Sequence, residues 1–245
     1  GKTTTAINLS AALNLRGKRV MLVDLDPQAN ATVGCGINYK DLNKSVYHVI
    51  LNEINVQEAV ISTASGFEIL PSEPALAGLQ MELKSDSDEN YQRLKSSLLS
   101  EETYDYILID CPPSLNILTL NAMVASSSVL IPVQCEYYAL EGLSGLDETI
   151  RRIKNKINPN LMIEGLLRTM FDPRNSLTNE VSDQLLNHYG KLLYNTTIPR
   201  NVRLAEAPSF GKSVIDYDPN CQGSLAYISL AEEILGISNQ ERDNK

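Results

Sequence analysis

The first four residues, Gly1-Lys2-Thr3-Thr4, have the types and order that end a phosphate-binding loop. A glycine lets the backbone come close to a phosphate. The helix that such a loop opens then offers unpaired amides and the positive end of its dipole. In the G-K-[ST] pattern the lysine reaches the β- and γ-phosphates and the next hydroxyl is a Mg²⁺ ligand, so Lys2 and Thr3 are the candidates. The tripeptide alone is weak, because a plain helix start can read the same way. Two carboxylates strengthen it. Asp24 closes the apolar run KRVMLVD, before LDPQANAT, and Asp110 closes YDYILID, before CPPS. Taken singly, each acid reads as a turn or cap residue. Acids at strand ends beside a phosphate loop are what a Mg²⁺–nucleotide site needs, one for the metal's water shell and another for the attacking water.

These groups need rigid elements beneath them. Thr3 to Arg16 carries Ile7, Leu9, Ala11, Leu13 and Leu15 and stops at Gly17, a mostly buried helix with a glycine stop. Lys18–Asp24 is a short apolar run that suits a buried parallel strand, and similar runs recur at Phe67–Leu70, Tyr104–Asp110, Ser128–Val133 and Met162–Met170. Helical patterns fall between them, including Ala139–Lys156 and Asn175–His188. Strands alternating with helices predict an α/β fold. Its sheet is mainly parallel and twisted, with helices on both faces and the ligand at the strands' carboxyl ends. No linker divides the chain, which predicts one domain over residues 1–237 and a polar tail over 238–245. The polar stretch Ser85–Asn90 reads as a solvated loop or helix start.

The bulk numbers exclude several classes. The 245 residues are 43% hydrophobic and 21% charged, ordinary for a globular protein. No run of about 18 apolar residues is present to span a bilayer. The four cysteines, Cys35, Cys111, Cys135 and Cys221, form no C-x-x-C pair, which reads as reduced core thiols in a cytoplasmic protein. A net charge of −9 is not that of a general nucleic-acid binder, so any contact with DNA needs a local basic face.

Four blocks, GKTTTAINLSAAL, VMLVDLDPQANAT, YDYILIDCPPSLNILTLNA and IPRNVRLAEAPSFGKSVIDYD, resemble the ParA/Soj family of chromosome- and plasmid-partitioning ATPases over nearly the whole chain. In that family the loop reads K-G-G-V-G-K-T-T, and its first lysine reaches the partner subunit's nucleotide. The resemblance thus sets that lysine and the first strand upstream of residue 1. It implies a P-loop NTPase-like fold that uses ATP and Mg²⁺. It gives Lys2 and Thr3 the phosphate and metal roles, Gly1 the loop backbone, and Thr4 a further phosphate contact. Asp26 resembles the acid that positions the hydrolytic water. Asp110 resembles the aspartate that holds Mg²⁺ through water, with Asp24 supporting the same metal. Adenine is implied near Thr169 and Met170 and near Pro199, Arg200 and Asn201. Arg168 stands where an apolar or small residue is expected.

The resemblance further implies an ATP-joined homodimer that binds DNA without sequence preference, a nucleoid location, and a ParB-type centromere-binding partner that stimulates hydrolysis. Two basic clusters could serve DNA. Arg151, Arg152, Lys154 and Lys156 read as a solvated helix face, whereas Lys191, Arg200, Arg203 and Lys212 are the candidate phosphate contacts. MinD-like relatives act on membranes through a basic C-terminal helix. The last helix here (LAYISLAEEIL) offers Glu232 and Glu233 instead and is expected to dock by Leu225, Ile228, Ala231 and Leu235, so no membrane partner is expected. A third class with the same loop comprises iron–sulfur reductases and ATP-dependent ligases. Cys111 and Cys135 lack the glycine-rich surroundings of a cluster site.

Overall fold

The computed structural model describes residues 1–83, 88–99, 101 and 103–237. Much of Ser85–Asn90 and the whole of the tail 238–245 lie outside the described residues. Seven strands are formed among the described residues: β1 (Val20–Asp24), β2 (Ile61–Ser62), β3 (Glu68–Leu70), β4 (Tyr106–Asp110), β5 (Ser128–Gln134), β6 (Met162–Phe171) and β7 (Leu193–Pro199). The longer helices are α1 (Lys2–Leu15), α2 (Ile117–Ala125), α3 (Ala139–Lys156), α4 (Ser176–Tyr189) and α5 (Gln222–Ile234).

The strands form two sheets rather than the single one expected. One has the order β2-β3-β1-β4 and the other β5-β6-β7. All pairings are parallel except β2 with β3. All five β1 residues are buried, as an apolar run covered on both faces should be. Register places Asp24 directly beside Asp110, at the carboxyl ends of β1 and β4.

α1 packs on β1, β4 and β5, so it spans the two sheets. Beneath it a single cluster joins Ile7, Leu9 and Leu13 of α1 with Leu22 of the first sheet, Leu167 and Ile198 of the second, and Tyr227 and Leu230 of α5. A second cluster buries Met21 and Val23 against Val49, Ile50 and Leu118, and a third buries Ile131 and Val133 against Leu143, Ile150 and Leu185. Helices therefore cover both faces, and the sites sit on a shared core.

Two strands escaped the sequence reading. β7 is interrupted by Asn195-Thr196-Thr197, which blurs its apolar pattern, and β2 is only two residues long. α5 docks by Ala231, with Ile228 and Leu235 packed on the core as expected, and departs from expectation at Leu225. Gly223, Ser224, Tyr227, Leu230 and Ala231 are its buried residues, while Leu225 is 53% exposed. The acids on its other side serve the fold. Glu232 pairs with Arg16 at 2.6 Å, and Glu233 accepts backbone bonds from β7. No helix among the described residues is long and apolar enough to cross a membrane.

Candidate functional site

Gly1 caps α1, and the first turn includes Lys2, Thr3 and Thr4, whose amides have no carbonyl one turn behind them. The loop sits close on β6: a Cβ added to Gly1 would meet the Thr169 hydroxyl at 3.1 Å. Thr169 is buried, and its hydroxyl donates to the Val133 carbonyl at 3.3 Å. It therefore floors the phosphate loop, while its neighbour Met170 is 40% exposed with φ 53°. That left-handed backbone is unusual for a side chain of this size.

Asp110 faces the start of α1. Its Oδ2 is buried and has no hydrogen-bond partner. Its carboxyl is raised to about 7 overall, chiefly by burial. The hydroxyl of Thr3 pulls it down, Asp24 and Asp26 push it further up, and the Lys2 charge draws it down. A buried carboxylate oxygen with no partner, beside a hydroxyl and an ammonium, is an arrangement that a cation would complete. No group of three or more His, Cys, Asp or Glu among the described residues forms a metal cage. Mg²⁺ is commonly held by one or two carboxylates together with substrate phosphates, and Asp110 is the carboxylate placed for that here.

Asp24, expected to support the metal, holds a network of hydrogen bonds here. Its Oδ1 accepts from the Asp26 amide at 3.2 Å, and its Oδ2 accepts from the Thr32 amide at 2.8 Å and the Thr32 hydroxyl at 2.7 Å. Both oxygens are therefore engaged in holding the segment 26–32. Burial raises its pKa and the Thr32 bonds lower it. Thr32 also accepts from the Ser72 amide at 2.9 Å, and the Ser72 hydroxyl donates to the Asp26 carbonyl at 2.7 Å. Thr32 and Ser72 were not singled out from the sequence: nothing in an eight-residue loop spacing signals such a bond. Asp26 is buried with its Oδ1 accepting from Gln28 at 3.0 Å, and Ala29 turns through φ 53° before the short helix Asn30–Gly34.

The loop after β4 is fastened by Asn116, whose Oδ1 accepts from the Leu118 and Thr119 amides at 3.0 and 3.2 Å and so caps α2. A cleft of about 410 Å³ opens beside the first turn of α1, lined among others by Thr3, Thr4, Asn30, Ser209 and Lys212. Lys212 thus lies with the phosphate loop.

The other candidate cations are dispersed. Lys191 precedes β7 and Arg200 follows it, so a seven-residue strand of about 20 Å separates them. Arg203 is exposed but paired with Glu206 at 2.8 Å and Asp218 at 3.3 Å. In the first cluster, Arg151 and Arg152 pair with Asp147 and Glu148 one turn away. Pro199 and Asn201 stand at the carboxyl end of β7. Asn201 Oδ1 caps the short helix Val202–Glu206 by accepting from Arg203, so what it could offer a ligand is its amide NH₂. The four cysteines are free thiols, and desolvation at half-buried Cys111 pushes its thiol up to about 12.

The fold and this site define a nucleotide-binding protein of the P-loop NTPase class. A family model described as "AAA domain" matches residues 1–163. The chain is 48% identical to the sporulation initiation inhibitor protein Soj of Bacillus subtilis over 96% of this chain and 93% of that protein. It is 45% identical to the chromosome partitioning protein ParA of Caulobacter vibrioides over 100% of this chain and 92% of that protein. Among solved structures, cobyrinic acid a,c-diamide synthase from Mycobacterium smegmatis with bound ADP and magnesium superposes with a TM-score of 0.83 at 32% identity, covering 96% of this chain and 88% of that one. The chain belongs to the ParA/Soj family of chromosome-partitioning ATPases.

Proposed function

We propose that this chain is a Mg²⁺-ATP-gated partitioning switch that dimerises and binds DNA without sequence preference when loaded, and resets on hydrolysis. The observation that carries the reading is the buried, unpartnered Asp110 Oδ2 facing the first turn of α1. Lys2 and the amides of Gly1 to Thr4 hold the β- and γ-phosphates, with Thr3 and Asp110 on the metal side. Magnesium, when bound, neutralises charge that develops on the transferred phosphoryl oxygens. Asp26 orients the attacking water, and Asp24 holds the Asp26 segment in place through Thr32. Met170, Pro199 and Asn201 contact the nucleobase, above the floor made by Thr169.

The segments 26–32 and 110–116 are the parts that respond to the γ-phosphate, and their order sets the dimer and hence DNA affinity. Arg200, Arg203, Lys191 and Lys212 are the proposed phosphate contacts. Arg203 must exchange Glu206 and Asp218 for DNA. A ParB-type partner and DNA together speed hydrolysis, and the loaded protein resides on the nucleoid.

ATPase rate measured with DNA, with a ParB-type protein, and with both tests the reading. A slow basal rate that rises most with both supports it. A rate that ignores DNA and demands a small carboxylic acid and an amide donor would assign the chain to ligase chemistry.

A further inference from the structure

The pairing of β6 with β7 is irregular in a way that exposes a dedicated support. Leu166 faces Leu193 and Arg168 faces Thr197, so two steps on β6 are matched by four on β7. From there to the next pair, Phe171 with Pro199, three steps on β6 match two on β7. The strand therefore bulges first on β7 around Tyr194–Thr196 and then on β6 at Thr169–Met170, where Met170 takes its left-handed φ. A bulge leaves ladder groups unpaired. Here two side chains of opposite charge take them up. The Arg168 guanidinium donates from Nη2 to the carbonyls of Tyr194 at 2.8 Å and Asn195 at 3.3 Å, and from Nη1 to the Ser182 hydroxyl at 2.9 Å. The Glu233 carboxylate accepts from the Asn195 amide at 2.7 Å and the Thr196 amide at 3.0 Å. The Tyr194 ring closes the bulge over Gly165, where a Cβ would approach it to 2.5 Å.

We propose that Arg168 and Glu233 are positioning residues for the nucleobase: by satisfying the bulge of β7 they fix the register that sets Pro199 opposite Phe171, so that Pro199–Asn201 follow at the end of β7 where Met170 precedes Phe171 on β6. This rests on the reading of Met170, Pro199 and Asn201 as the base-contacting residues. Both charged side chains bond to the backbone of β7, and Arg168 also to the Ser182 hydroxyl. The cation at position 168 thus has a structural reason that an apolar residue could not serve, since the freed carbonyls of Tyr194 and Asn195 need a donor. Arginine suits it through its forked donors. The bulge also separates two functions along one strand, because Thr169 supports the phosphate loop while the next residue turns toward the base.

The test compares dissociation constants for ATP, GTP and inorganic triphosphate, each with Mg²⁺, on the full chain. Arg168→Met is expected to weaken ATP about tenfold and leave triphosphate within about twofold. Arg168→Lys should recover part of the loss, and Glu233→Gln should weaken ATP about threefold in the same selective way. Equal losses for ATP and triphosphate would mean a general loosening and would overturn the proposal, as would unchanged ATP affinity. If Arg168→Met does not fold, the lysine and glutamine variants carry the same comparison. Asn201→Ala tests the underlying reading separately by the ATP-to-GTP preference. An unchanged preference there, beside a selective ATP loss in Arg168→Met, keeps the positioning role and moves the base contact to Met170 and Pro199.

Discussion

Replacing Asp110 with asparagine should make the nucleotide-free protein lose less stability as pH rises, although it disables the site. The carboxyl's ordinary pKa of 3.8 is raised to about 7, chiefly by burial. The folded state therefore holds the proton more tightly than the unfolded chain does. Stability falls as pH climbs from about 4 to about 7, and the deficit is complete above the folded value. About three pH units at 1.36 kcal/mol each give roughly 4 kcal/mol as the upper end. The substituted amide keeps the shape and removes the titration. It still lacks a partner, at about 1–3 kcal/mol, but that cost is the same at every pH and cancels from the slope. Urea unfolding without nucleotide or metal at pH 4.5, 6 and 8 is the assay. The gap between Asp110→Asn and the parent should shift by roughly 3 kcal/mol in the variant's favour from the lowest to the highest pH, since part of the loss already falls below pH 4.5. Parallel pH curves for the two proteins would refute the reasoning, because Asp110 would then not be a carboxylate held at a cost for a cation.

Thr32→Val removes a hydroxyl that donates to Asp24 and accepts from Ser72, all buried, and should cost about 3 kcal/mol, read as a melting temperature lower by roughly 6–12 °C. Gly211→Ala sets a Cβ 2.5 Å from the Gly36 Cα at φ +62° and should cost about 2 kcal/mol or more in urea unfolding, since backbone stands on both sides. Lys2→Ala should leave unfolding unchanged, as Lys2 is exposed, while nucleotide binding by calorimetry is lost. Arg203→Ala should lower the salt slope of ATP-dependent DNA binding by about one; an unchanged slope would remove Arg203 from the DNA face.

The fold was legible where the code is local. The buried run of β1, the acid closing β4 and the span of α3 follow from apolar pattern and strand-end chemistry. β7 was not, because its polar centre is supported by Arg168 and Glu233, which lie far away in sequence. Within the site, the motif residues Gly1 to Thr4 and Asp110 fall together as their types suggest. The bonds that Asp24 makes could not be read from the sequence alone. Only its partner Thr32, brought back by the turn at Ala29, shows that its oxygens are already engaged. The candidate DNA cations read as one cluster along the chain, yet β7 holds Lys191 and Arg200 at opposite ends.

The gating itself is tested most directly by binding to a short random-sequence duplex, followed by fluorescence anisotropy with Mg²⁺-ATP, Mg²⁺-ADP and no nucleotide over a range of salt. Expected is binding with Mg²⁺-ATP alone, with an affinity that falls steeply as salt rises, by a slope of about 0.9 for each phosphate neutralised. Equal binding in all three states, or none in any, would contradict a nucleotide-gated DNA switch.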